Sequence, residues 1–128
     1  MNPKQTYVRE ADKGRKEYFM NYSEYFASVK NEFSGTDVSD IKEHLAYQFN
    51  VIGEEGNGIF YVEVKEGKLY IEPYEYHDRD AIFIATADTF TAIIRGKMDP
   101  VWAFTTQKLK IEGDIEKALK LNDLLARK

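Results

Sequence analysis

The apolar positions of this chain change period along its length, and each change marks an element. Tyr18, Tyr22, Tyr25, Phe26, Val29 and Phe33 recur at helical spacing, with Glu17, Asn21, Glu24, Ser28 and Glu32 on the other side. That stripe predicts an amphipathic helix over 17–35, stopped by Gly35. Val38, Ile41 and Leu45 keep the same spacing behind the polar starts Asp37 and Ser39, which predicts a second helix over 36–46. The period then falls to two. Gln48–Ile52, Ile59–Val64, Leu69–Tyr74 and Ala81–Ala85 read as four strands. Asn57-Gly58 and Glu66-Gly67 supply hairpin-turn chemistry between the first three, which predicts an antiparallel meander.

Thr86 to Asp114 is dense in local signals that agree with one another. Thr86 can cap a helix whose first turn carries Asp88 and whose inner face carries Phe90, Ile93 and Ile94, with Gly96 to close it. Asp99-Pro100 starts a short helix bearing Val101, Trp102, Ala103 and Phe104. Leu109–Glu112 alternates as a fifth strand, Gly113 ends it, and Asp114 caps a last helix from Ile115. That helix carries Ile115, Ala118, Leu119 and Leu125 on one side, flanked by Leu121 and Leu124. Strands and helices in this order predict an α+β domain over 17–128. Residues 1–16 are polar and aperiodic, which predicts a flexible tail.

The strands also predict two unequal faces. Phe60, Val62, Val64, Leu69, Ile71, Phe83, Ala85, Leu109 and Ile111 fall on one face, the expected core. The other is polar on the fifth strand, at Lys108, Lys110 and Glu112, but carries Ile59, Tyr61, Tyr70, Tyr74, Ile82 and Ile84 elsewhere. Such a face calls for a cover. The candidates are the aromatic N-terminal helix or a second copy, with homodimerisation through Tyr61, Tyr70, Ile82 and Ile84 or through the Tyr18–Phe33 helix.

Composition narrows the function. At 128 residues the chain is large enough for one core without staples, and no cysteine is present for disulfide, thiolate or zinc-thiolate chemistry. A net charge of −4 argues against a nucleic-acid partner. No apolar run approaches membrane-spanning length and the N-terminus has no signal core, which leads to the expectation of a soluble, cytoplasmic protein.

Catalytic chemistry has no foothold in the pattern. His44 and His77 stand apart without a second histidine at ligand spacing, and His77-Asp78-Arg79-Asp80 reads as a solvated loop. The glycine-rich stretch 53–58 carries Glu54 and Glu55 where a phosphate cradle needs positive charge. Glu72 and Glu75 form no facing pair with each other. The expectation is a non-enzymatic domain with no catalytic residues, metal or cofactor. Trp102 and Phe104 are the best candidates for ligand contact; the residues alone leave plain core open as an alternative.

From Ile41 to Leu125 the pieces resemble, in order and spacing, the sterol carrier protein type-2 family of lipid-transfer domains. They run from Phe49-Asn50-Val51 through Gly58-x-Phe60-x-Val62-Glu63-Val64 and Gly67-Lys68 to Asp80 and Thr86-Ala87-Asp88-Thr89-Phe90. The most specific are Gly96-Lys97-Met98-Asp99-Pro100, Ala103-Phe104, and Lys108-Leu109-Lys110-Ile111-Glu112-Gly113-Asp114 with Lys117-Ala118. The resemblance implies a five-stranded, mostly antiparallel sheet with helices packed on one face and an apolar tunnel between them. The tunnel would hold a fatty acyl chain, acyl-CoA, phospholipid or sterol, with transient contact at a membrane surface. It implies a wall of Phe90, Ile94, Phe104, Leu109 and Ile111, to which the core face adds Phe60, Val62 and Phe83, and the short helix Trp102. Three positions depart from the family pattern: Gln107 stands where glycine is usual, and Ile82 and Ile84 stand where polar residues are usual. The chain ends Ala126-Arg127-Lys128, unlike a peroxisomal address. The alternative reading is an interaction or dimerisation module with a filled core.

Overall fold

The computed structural model describes residues 7–10, 16–19, 22–53 and 58–128. Strands β1 (Tyr7–Glu10) and β2 (Lys16–Phe19) form an antiparallel ribbon, and β1 runs beside helix α2 (Ala87–Ile94). Helix α1 spans Tyr22–Glu32. The main sheet is built from β3 (Leu45–Ile52), β4 (Gly58–Lys65), β5 (Lys68–Glu72), β6 (Ala81–Thr86) and β7 (Lys110–Gly113), in the order β5-β4-β3-β6-β7. Only β3 and β6 are parallel; the other three pairings are antiparallel. Helices α3 (Pro100–Thr105), α4 (Ile115–Leu119) and α5 (Leu121–Leu125) complete the α+β fold.

The expected meander, core face and capping residues are all present. Thr86, Asp99 and Asp114 each accept a backbone N–H from the third residue on: Thr89, Trp102 and Lys117. The core centres on Phe49, whose ring stacks on Phe60 with centroids 4.7 Å apart and meets Phe83 at 5.1 Å and Phe90 at 5.2 Å. Offset stacks and edge contacts of this kind add to the burial of the rings themselves.

Four expectations are corrected. Tyr7–Glu10 and Lys16–Phe19 are strands, not a tail leading into a helix, so α1 begins at Tyr22 rather than near residue 17. Residues 36–44 form turns and irregular chain instead of a helix, and β3 starts at Leu45. Val38 is 3 % exposed because this segment threads into the core, so its apolar positions mark burial and not a helical face. The last helix is two short ones meeting at Lys120; Ala118, Leu121 and Leu124 are buried, and Ile115 and Leu119 are exposed. The expected Asn57-Gly58 turn lies partly outside the described residues.

The fourth correction concerns the sheet's second face. Helix α1 does not cover it. Tyr25, Val29 and Phe33 are buried in the main core, Phe26 meets the core ring of Phe60, and the Tyr25 hydroxyl donates to Ala87 O at the start of α2. The second face is instead crossed by the connection from β5 to β6. Its Tyr76 packs on Tyr61, takes Gln48 Oε1 with its backbone N–H at 3.1 Å, and donates its hydroxyl to Glu63. Glu63 also meets His44 Nε2 at 2.7 Å. This explains why Gln48 and Glu63 are almost fully buried on a face that elsewhere meets water. The hydrogen bond to the Glu63 carboxylate, with partial desolvation, pushes the Tyr76 phenol up to about 12. Ile52, Tyr70 and Tyr74 stay exposed on this side of the molecule.

Candidate functional site

The first half of the site is built by tight closures around Asp80. Its carboxylate accepts the Ala46 N–H of β3 at 2.8 Å and the Lys117 ammonium of α4 at 3.1 Å, and this hydrogen bond raises the Lys117 pKa. Its carbonyl accepts the Asp114 N–H at 2.8 Å. A Cβ on Gly113, at φ 105°, would stand 2.6 Å from that carbonyl oxygen, so only glycine lets β7 and the start of α4 close onto β6. Tyr47 OH donates to the Lys117 carbonyl, and burial pushes its pKa up, out of range of ordinary ionisation. These bonds hang α4 from the sheet at a fixed distance.

The second half is α3. Pro100 occupies its first position and Asp99 caps it. Behind it Gln107 adopts a left-handed conformation with φ 66°. That conformation suits glycine, and holding a side-chain-bearing residue in it costs about 1 kcal/mol or more. Gln107→Gly is expected to raise stability by about 0.5–1 kcal/mol after allowing for the greater freedom of glycine in the unfolded chain. Urea unfolding reads this directly.

Between α3, α4, β6 and β7 lies a partly enclosed apolar cavity of about 310 Å³. Phe83 and Ile111 line it from the sheet, where they are cross-strand partners. Helix α3 contributes Pro100, Val101, Phe104 and Thr105. The far wall is Ile115, Ala118 and Leu119 of α4 with Asn122 of α5. Val101, Phe104, Ile115 and Leu119 are each 43–49 % exposed, and Trp102, the single tryptophan, is 49 % exposed. Four of these exposed apolar residues, Val101, Phe104, Ile115 and Leu119, thus gather at the rim of one cavity, and Trp102 does not line it.

Of the nine residues singled out from the sequence, Phe83, Phe104 and Ile111 line this cavity. Phe60, Val62, Phe90 and Leu109 are at most 2 % exposed within the packed core, and Ile94 borders a separate, more polar hollow near Arg95 and Lys128. Trp102 stands on the outer surface of α3. Val101, Ile115, Ala118 and Leu119 were not singled out, although they share one helical side in the 115–125 pattern or follow Pro100 directly. Among the described residues no group of three His, Asp or Glu side chains gathers to hold a metal ion, and no helix is long and apolar enough to cross a membrane.

A family model for the SCP-2 sterol transfer family matches residues 30–126. The chain belongs to that family. Hydroxysteroid dehydrogenase-like protein 2 of Mus musculus is 32 % identical over 114 residues, which cover 88 % of this chain and 23 % of that protein. The chain thus spans about a quarter of the length of this curated relative. Among solved structures, the sterol carrier protein domain 2 of Helicoverpa armigera shares the fold at a TM-score of 0.62 and 24 % identity, covering 80 % of this chain and 83 % of that one. The palmitated SCP2L2 of Aedes aegypti does so at a TM-score of 0.58 and 18 % identity, covering 79 % and 90 %. At these identities the two structures speak for the fold. Membership of the family places the chain in the general class of lipid-binding and lipid-transfer domains.

Proposed function

We propose that the domain carries a single acyl chain, as a fatty acid or acyl ester, in the cavity under α3, and that it does so without catalysis. The observation that supports this most is the wall itself: an apolar cavity with an apolar rim that stands open to solvent. At ~30 Å³ for a group the size of a water or a methylene, its volume takes roughly ten methylenes. That suits most of one acyl chain and is less than a whole sterol. Burying ten methylenes contributes about 8 kcal/mol at ~0.8 kcal/mol each, which alone corresponds to about 1 μM; ordering the chain offsets part of it, so affinity in the range of tens to hundreds of micromolar is expected.

Phe83, Phe104 and Ile111 would grip the chain, with Val101, Ile115 and Leu119 at the mouth. Helix α3 is the segment that would move to admit it. It buries Ala103 alone, whereas α2 is anchored by Phe90, Thr91, Ile93 and Ile94. The rim of Val101, Phe104, Ile115 and Leu119, with Trp102 beside it on α3, would touch a lipid surface during pick-up, which shields the chain from water in transit. The name of the murine relative refers to a protein of which the matched segment is 23 %, and no dehydrogenase activity is proposed for this segment.

Calorimetric titration of the protein with dodecanoate, palmitate and cholesterol tests the reading. Micromolar binding of a fatty acid, with a negative heat-capacity change, is the expected result. Protein that ignores both fatty acids at millimolar concentration would leave the interaction module as the better answer. Tighter binding of cholesterol than of either acid would overturn the acyl-chain assignment and keep the carrier.

A further inference from the structure

Strand β5 is a free edge of the main sheet, and its sequence, Lys68-Leu69-Tyr70-Ile71-Glu72, is complementary to itself when reversed. Glu66 and Gly67 have φ of 52° and 75°, a type I′ turn, so Lys65 and Lys68 are the hydrogen-bonded pair that closes the hairpin. Alternating from there, Lys68, Tyr70 and Glu72 turn their backbone groups toward β4, and Leu69 and Ile71 turn theirs outward. Among the described residues nothing bonds to those outward groups. A groove of about 760 Å³ lies alongside, with α1 from Ala27 to Asn31 and the 33–38 segment after it on its far wall. It leaves room for another strand.

We propose that β5 pairs with β5 of a second copy of this chain, antiparallel about a two-fold axis at Tyr70. In that register Lys68 faces the partner's Glu72, Leu69 faces the partner's Ile71, and the two Tyr70 rings meet at the centre. Each position meets its complement. Lys68 and Glu72 fall in non-hydrogen-bonded pairs across the new ladder, where side chains approach most closely. A slip of one residue would bring the core side of one strand against the outer side of the other. A slip of two in one direction sets Glu72 against the partner's Glu66. Parallel in-register pairing sets lysine against lysine.

Two features of the single chain fit this occupant. Lys68 stands opposite Lys65 inside the hairpin, a like-charge pair that does nothing for the monomer. Glu72 is within 3.7 Å of Lys30 yet its side chain is 41 % exposed, so it can take a second cation. Pairing gives Lys68 a carboxylate, protects the outward amides of an otherwise open edge, and covers Tyr70, which is 41 % exposed. The two sheets join into one of ten strands, and the Tyr61–Tyr70 faces become continuous.

Sedimentation of the full chain across the micromolar range tests this, with the mass expected to rise from 14.9 kDa toward twice that value. Lys68→Glu and Glu72→Lys each turn two attractive pairs per dimer into repulsive ones, and each is expected to weaken the dimer about tenfold or more. The double variant is expected to restore it. Lys68→Glu also relieves the contact with Lys65, so at concentrations low enough for the unmodified protein to be monomeric its melting temperature should not fall, which separates lost pairing from lost folding. Hydrogen exchange supplies an independent readout: the Leu69 and Ile71 amides should gain protection as protein concentration rises. A monomer throughout, a dimer indifferent to the single swaps, a double variant that stays monomeric, or Leu69 and Ile71 amides that exchange equally fast at all concentrations would each overturn the proposal.

Discussion

Ala118→Phe is expected to lower fatty-acid affinity about a hundredfold while the protein keeps its fold. Ala118 is 3 % exposed and sits in the cavity wall on α4, with Phe83 on the opposite side of the same space. A phenyl ring there takes the room of roughly three methylenes of ligand, about 2.5 kcal/mol at ~0.8 kcal/mol each. In a filled core the same change would be overpacking and would cost about 1–3 kcal/mol of stability. Here the added atoms have a cavity to enter, so unfolding in urea should be near that of the unmodified protein. The two readouts together decide the matter: lost binding with kept stability supports a ligand-holding cavity, and kept binding with kept stability would place the ligand elsewhere. Loss of stability by several kcal/mol would mean that the space closes in solution.

Phe49→Ala is expected to destabilise the fold by about 3–5 kcal/mol, the usual range for removing a buried phenylalanine. Phe49 is 2 % exposed and its ring meets three others at 4.7–5.2 Å, Phe60, Phe83 and Phe90, so its loss leaves a void lined by rings from β4, β6 and α2. Against a total stability of ~5–15 kcal/mol, such a change removes a large share. Chemical denaturation would show a midpoint shifted strongly downward. A loss below ~1 kcal/mol would mean that the aromatic cluster is not the centre of the core. The same variant should affect ligand binding only through the unfolded fraction, since Phe49 does not line the cavity.

Much of this architecture was legible along the chain because its causes are local. Thr86, Asp99 and Asp114 precede their helices with a side-chain oxygen ready for the third N–H, and each makes that bond. Glu66-Gly67 turns where such a pair is expected to turn. The alternation of Phe60, Val62 and Val64 identifies the buried side of β4 without any knowledge of what lies against it. The family was readable from the run Gly96 to Asp114 for the same reason: it is a succession of caps, bends and inward positions at fixed spacing.

Other features had no local signature. Val38 and Leu45 are buried at helical spacing, but a chain threading irregularly into a core produces that spacing as readily as a helix does. The aromatic stripe from Tyr18 to Phe33 is real as burial from Tyr22 onward, yet Tyr18 belongs to β2, whose pairing with β1 depends on a segment with no apolar period of its own. The cover of Gln48 and Glu63 by Tyr76 comes from a crossover that the parallel pairing of β3 with β6 requires.

The sequence by itself determined the number of main strands, their inward faces, the capped starts of α2, α3 and α4, and the family. Periodicity and capping are set by residues a few positions apart, and those can be counted. Which apolar side chains close against one another and which leave a space was decided only by the tertiary structure. Phe60 and Phe104 look alike in the pattern, but Phe60 meets Phe49 from the adjacent strand and fills its site, whereas Phe104 faces α4 across a gap held open by the bonds of Asp80 to Ala46, Asp114 and Lys117. A cavity is a property of the distance between elements, and that distance is fixed by contacts between residues far apart in the chain.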